Sequence, residues 1–188
     1  ISNSCALTVL CEEKGVKHAK ATLYFLGKVF KRKLEIDNLA EDIKKEQENI
    51  QKEFEKRMQR YAKLHIIEVN DEQAPERLTD AQKKAVQFAE WKKIEKKLYT
   101  DDFVIALDST GKHISSQALA LNIEAWQENK NIVFILGGSL GFHEDALKRA
   151  DYILSLSDMT FTHSMARVIL LEQIYRGYKI INKEPYHK

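Results

Sequence analysis

The stretch from Ile132 to Phe161 limits what this chain can fold into more than any other. In order it reads IVFILGGSLG, FHEDALKRAD and YILSLSDMTF. Its apolar runs, Ile132 to Leu136 and Ile153 to Leu156, are too short to be helices of their own, and the first is rich in β-branched and aromatic residues. Both therefore read as buried strands flanking a short helix. Strands of that kind belong to a parallel sheet covered on both faces. The loops that follow them, Gly137 to Gly141 and Ser157 to Phe161, then leave the sheet at one edge. In open α/β sheets that edge is where ligands meet free backbone amides and helix N-termini.

The rest of the chain extends the same pattern. Ala21 to Leu26 (ATLYFL) is strand-like and ends at Gly27-Lys28. From about Asp37 to Lys63, apolar residues from Leu39 to Tyr61 recur at helical spacing between charges, which predicts a long amphipathic helix. Leu64 to Val69 (LHIIEV) reads as a further strand. Thr79 or Asp80 then caps a helix reaching Leu98. Phe103 to Leu107 is another buried strand, followed by the turn Asp108-Ser-Thr-Gly111. Ser115 or Ser116 caps a helix with Leu119, Ile123 and Trp126 on one face. The last helix, about Ser164 to Tyr178, is apolar over a wide arc that includes Met165, Leu170, Leu171, Ile174 and Tyr175. Such an arc needs its own sheet and a second surface to cover it, and a homodimer is the natural expectation. The fold class predicted is α/β, a mostly parallel sheet flanked by helices.

Composition excludes some classes. The chain has 188 residues, 30 Lys plus Arg against 28 Asp plus Glu, and a net charge of +2. Global charge thus predicts no nucleic-acid partner, and basic surface must come from clustering. One such cluster runs from Thr160 to the end: Arg167, Arg176, Lys179, Lys183 and Lys188 against Glu172 and Glu184. Cys5 and Cys11 make neither a disulfide framework nor a zinc site. No metal is expected, and no apolar run spans a bilayer. A reduced, cytoplasmic protein is the reading that follows.

The residues alone carry the chemistry only so far. Gly137-Gly138-Ser139-Leu140-Gly141 is neither a dinucleotide fingerprint nor a Walker loop. It offers backbone that a ligand can approach closely, though a plain tight turn also accounts for it. Ser157 to His163 alternates small polar with apolar residues ahead of a helix. It suits a pocket for an adenine, or equally a capping turn in which Thr162 or Ser164 binds free amides. His163 and Arg167 lie one helical turn apart, spaced to meet a phosphate or to sit on a plain surface.

Several motifs in order then carry a resemblance. HIIEVNDEQAPE (65–76), ALDSTGK (106–112), ILGGSLG (135–141), LSLSDMTFTH (154–163), RVILLEQIYRGYKI (167–180) and EPYHK (184–188) keep their spacing. Together they resemble the ribosomal RNA large subunit methyltransferase H family, within the SPOUT methyltransferases. The resemblance covers Tyr61 to Lys188. Trp91 stands where that family usually has glycine, Thr162 where it commonly has proline and Gly177 where it has alanine.

The resemblance implies a homodimeric SPOUT domain over residues 21–188 with a C-terminal trefoil knot, behind an N-terminal extension, 1–20, of unknown role. It further implies S-adenosylmethionine as cofactor, held at Leu107, Gly137, Leu156, Ser157, Asp158, Met159, Thr160 and Phe161. The methyl acceptor implied is N3 of a pseudouridine in 23S ribosomal RNA, on the assembled ribosome. Catalytic roles fall by position to Tyr186 and His187 of the tail, which would position or deprotonate the base across the dimer interface, and to Arg167, with Arg176 beside it for phosphate or nucleotide binding. Two other readings remain: a SPOUT methyltransferase acting on another RNA, and a non-catalytic RNA-binding or ribosome assembly factor.

Overall fold

The structure, a computed structural model, describes residues 33–70, 72, 77–128 and 131–186. The extension 1–20, the strand expected at Ala21 to Leu26, and His187 lie outside the described residues. The chain divides into two units, Ile1–Asn49 and Ile50–Lys188. What is described of the first is the leading part of helix α1, Lys33–Met58.

The second unit holds the sheet. After the end of α1 come α2 (Asp80–Glu95), β1 (Phe103–His113), α3 (Ser116–Trp126), β2 (Ile132–Leu136), α4 (Glu144–Arg149), β3 (Tyr152–Ser155) and α5 (His163–Ile181). The strand order is β2-β1-β3, and β1 is parallel to both neighbours. Phe103 to Leu107 pair with Ile132 to Leu136 in unbroken register. The α/β, parallel-sheet expectation is what the described residues form.

Period-two alternation sorts β1 between two faces. Val104 and Ala106 join Trp91, Ile135 and Ala146, so α2 and α4 cover that side. On the other side Ile105 packs with Leu119, Ile123 and Leu154 beneath α3. There α5 lies against α3, where a Cβ on Gly177 would stand 3.1 Å from Ile123 Cδ1. A third cluster joins Phe54 and Met58 of α1 to Leu170, Leu171, Ile174 and Tyr175 of α5, with Leu107 and Leu136 packed against it. Part of the wide apolar arc of α5 is therefore covered from within the chain. Trp91, bulky where glycine was the usual residue of the resemblance, is 3% exposed and sits in the core under the sheet.

The caps follow their chemistry. Thr79 and Gln82 form a reciprocal capping box on α2, Ser115 accepts from Ala118 N on α3, and Thr162 accepts from Met165 N on α5. The reading that left Thr162 or Ser164 as a cap thus resolves to Thr162.

Three expectations change. Helix α1 ends at Met58, not Lys63, because Tyr61 N and Ala62 N both turn back to the Met58 carbonyl. Residues 64–67 alternate as a strand should, with Leu64 and Ile66 half-buried and His65 and Ile67 exposed. They nonetheless pair with no strand among the described residues, because alternation sets a face but a ladder needs a neighbour. Strand β1 also continues past Leu107. Residues 108–111 swing out of the ladder, and the chain returns so that Leu107 and Lys112 both pair with Leu154. The predicted turn exists, closed by Thr110 N and Oγ1 donating to Asp108 Oδ1 at 2.9 and 2.7 Å. It is an excursion within one strand.

Candidate active site

Parallel pairing brings three loops to one edge of the sheet. Leu107 ends the first run of β1, Gly137 follows β2, and Leu156 follows β3. With β1 central, the first loop lies between the other two. The residues expected to hold a cofactor are therefore neighbours at the carboxyl ends of adjacent strands.

The glycine loop is built against α2. Gly141 N donates to Gly138 O at 3.0 Å, and Gly141 has φ +76°, a conformation that favours glycine. Gln87 Nε2 donates to Leu140 O at 2.7 Å. Glu90 stands so close to Gly138 that an added Cβ would lie 3.0 Å from its carboxylate. Gln87, Glu90, Trp91 and Ile94 form one helical stripe, and with Gly137, Gly138, Phe142 and His143 they line a shallow groove. Sequence reasoning missed Gln87 and Glu90. Their signal was two polar residues inside an apolar stripe at helical spacing.

The loop after β3 is held by hydroxyls. Buried Ser155 donates to Ser157 O at 3.1 Å, and Ser157 Oγ accepts from Met159 N at 3.0 Å. Leu156, Ser157 and Phe161 are half-buried, whereas Asp158, Met159 and Thr160 are exposed. Met159 is 71% exposed, an apolar side chain free to cover a ligand. His113 also reaches this loop, a contact that a strand ending at Leu107 does not foresee. Its Nε2 lies 2.8 Å from Ser155 Oγ and 3.5 Å from Asp158 Oδ1.

A family model described as "Predicted SPOUT methyltransferase" matches residues 33–187. The chain is 53% identical over 138 residues to a protein of Alkaliphilus oremlandii named Ribosomal RNA large subunit methyltransferase H, covering 72% of this chain and 87% of that one. A protein of the same name from Clostridioides difficile is 51% identical with the same coverage. Another, from Bifidobacterium adolescentis, is 46% identical over 171 residues, 90% of this chain and 99% of the relative. The chain belongs to the SPOUT methyltransferases, in the ribosomal RNA large subunit methyltransferase H family.

In this SPOUT chain the tail folds back on its own α5. Helix α5 ends in a Schellman arrangement, with Glu184 N donating to Lys179 O and Lys183 N to Ile180 O, both at 2.9 Å. Lys183 occupies the left-handed position with φ 55°. Glu184 then accepts from Lys179 and from Tyr61 Oη, the latter at 2.8 Å. Tyr186 meets Tyr175 edge-on at 5.0 Å, lies 4.8 Å from the Arg176 guanidinium, and donates to Glu172 Oε1 at 3.3 Å. Burial first, then Glu172, raises the Tyr186 pKa above its ordinary value. The hydrogen bond to Glu172 likewise raises Arg176.

Tyr186 thus makes no hydrogen bond or ring contact with the glycine loop or with residues 156–161 among the described residues. Arg167 is turned toward Glu68 Oε1 at 2.6 Å and Gln51 Oε1 at 3.2 Å, while His163 is exposed at the start of α5. The expected loop residues come together at one sheet edge, while within this chain Arg167 is bonded to Glu68 and Gln51 and Tyr186 to Glu172. Among the described residues no acidic, histidine or cysteine cluster suits a metal, and no helix is long and apolar enough to cross a membrane.

Proposed function

We propose that this chain transfers a methyl group from S-adenosylmethionine to N3 of a pseudouridine in 23S ribosomal RNA of the assembled ribosome. It acts as a cytoplasmic homodimer whose C-terminal part is knotted. The observation that carries this reading is the convergence of Leu107, Gly137 and Leu156 at one sheet edge. The chain's relatives are named as methyltransferases of large-subunit ribosomal RNA.

The loops fit such a cofactor. At Gly137 a Cβ would already press on the Phe142 ring at 3.3 Å, so bare backbone is what a ligand meets there. Residues 156–161 offer backbone groups beside an exposed methionine, the pairing an adenine requires. Leu107, Gly137 and Leu156 to Phe161 would hold the cofactor, which when bound supplies an electrophilic methyl on a sulfonium.

The remaining work falls to this chain's own groups. Holding donor and base in line is worth roughly 7 to 11 kcal/mol of barrier. Tyr186 keeps its proton because burial raises its pKa, so it orients the base by donating a hydrogen bond. His187 takes the N3 proton, and a histidine is suited to that near neutral pH. Arg167 and Arg176 meet phosphate, exchanging their carboxylate partners for it. An unstacked loop base is the form of RNA such a site can reach.

Calorimetry tests the reading directly. S-adenosylmethionine is expected to bind once per subunit, and Gly137→Val to lose that binding; a wild-type chain that binds none overturns it. Mass mapping after incubation with unmodified ribosomes should show one methylated pseudouridine. Methylation of transfer RNA instead would move the substrate, and ribosome binding without methylation of any RNA would remove the enzyme.

A further inference from the structure

The continuation of β1 past its excursion places His113 opposite Ser155 in the ladder. Ser155 is 5% exposed and has a single hydroxyl proton, which it donates to the Ser157 carbonyl. Toward His113 it can only accept. The contact at 2.8 Å therefore requires the proton on Nε2 of His113. The same N–H faces Asp158 Oδ1 at 3.5 Å. Ser157 in turn accepts from Met159 N. One imidazole, delivered by a different strand, thus anchors a chain of bonds through Ser155, Ser157 and Met159.

We propose that His113 is a positioning residue that sets the turn after β3 for the methyl donor. This rests on the methyltransferase reading above. Residues 156–161 include three exposed side chains, and a segment of that kind holds one conformation only where bonds to the scaffold fix it. His113 supplies such a bond from β1, whose residues Val104 to Ala106 are fully buried. Its own side chain is 50% exposed, so it adds little to the core. Its effect is therefore on loop geometry and on donor affinity.

His113→Phe keeps a ring of similar size and removes the donor. Calorimetry with S-adenosylmethionine is expected to show affinity reduced by about three- to tenfold, the worth of one hydrogen bond. The KM for the donor should rise by the same factor with kcat at saturating donor kept, and thermal unfolding should stay at the wild-type temperature. His113→Gln places an N–H near the position of Nε2 and should restore affinity. Ser155→Ala should reproduce the loss, and the double variant should be no worse than either single one. Wild-type affinity in His113→Phe, or no rescue by His113→Gln, overturns the proposal while leaving the methyltransferase reading standing. Absence of donor binding by the wild-type chain overturns both.

Discussion

Gly111 lies directly against the backbone of Leu154. A Cβ placed on it would sit 2.6 Å from the Leu154 carbonyl carbon and 2.8 Å from the carbonyl of Ile153. No side-chain rotation relieves a clash with main chain, so this close approach of β1 to β3 admits only glycine. Gly111→Ala should therefore destabilise the chain by roughly 1 to 3 kcal/mol or more, the usual cost of forcing atoms into a packed site. Urea unfolding followed by circular dichroism measures it, and an unchanged midpoint would refute the close contact.

Lys183 is the reverse case. It holds the left-handed position of a Schellman cap, where glycine is the usual residue and an L side chain is strained by roughly 1 to 2 kcal/mol. Glycine recovers that strain less its own backbone entropy, so Lys183→Gly should stabilise by up to about 1 kcal/mol. Differential scanning calorimetry should show a raised Tm.

Arg167 is paired with Glu68, whose side chain is 69% exposed. An exposed pair of that kind is worth little and can be exchanged for a phosphate. Arg167→Ala should leave S-adenosylmethionine affinity at the wild-type value. It should slow methylation of ribosomes by at least about tenfold, as loss of one charge-assisted hydrogen bond requires. Single-turnover methylation beside calorimetry separates the two effects. Equal loss in both would place Arg167 in the donor site instead.

The docked tail should respond to pH at both ends. Lys179, then Tyr61, lowers the Glu184 pKa. A depressed carboxylate stabilises above its unfolded pKa and stops doing so as pH falls through the folded value. Burial raises Tyr61 and Tyr186, and the bond to Glu184 raises Lys179. Their contribution is whole below the ordinary tyrosine and lysine values and is lost as pH rises through the raised ones. Near-ultraviolet circular dichroism of the stacked tyrosines should therefore change below the ordinary carboxylate range and again in strong alkali. Glu184→Gln should flatten the acid limb and leave on the alkaline side only the part that burial of Tyr61 and Tyr186 supplies, the Lys179 part being lost with the carboxylate.

Much of this was legible in the chain. Ile132 to Leu136 is a strand to the residue, and the second run is shifted by one, to Tyr152 through Ser155, because burial on both faces leaves a continuous apolar signal. Capping threonine and serine at Thr79, Ser115 and Thr162 were visible because a cap is a local bond between near neighbours in sequence. The common edge of the loops Gly137 to Gly141 and Ser157 to Phe161 followed from parallel pairing alone, and the resemblance added Leu107. Tertiary structure decided what depends on partners far away in sequence: whether residues 64–69 find a ladder, where β1 resumes after Gly111, and that His113 reaches Ser155. It also decided that Glu184 and Tyr186 dock on α5, since a cap at Lys183 turns the chain back onto tyrosines from two separate segments. Short-range hydrogen bonds and periodicity are written in neighbouring residues, whereas close approach of two backbones is written only in the packing that brings them together.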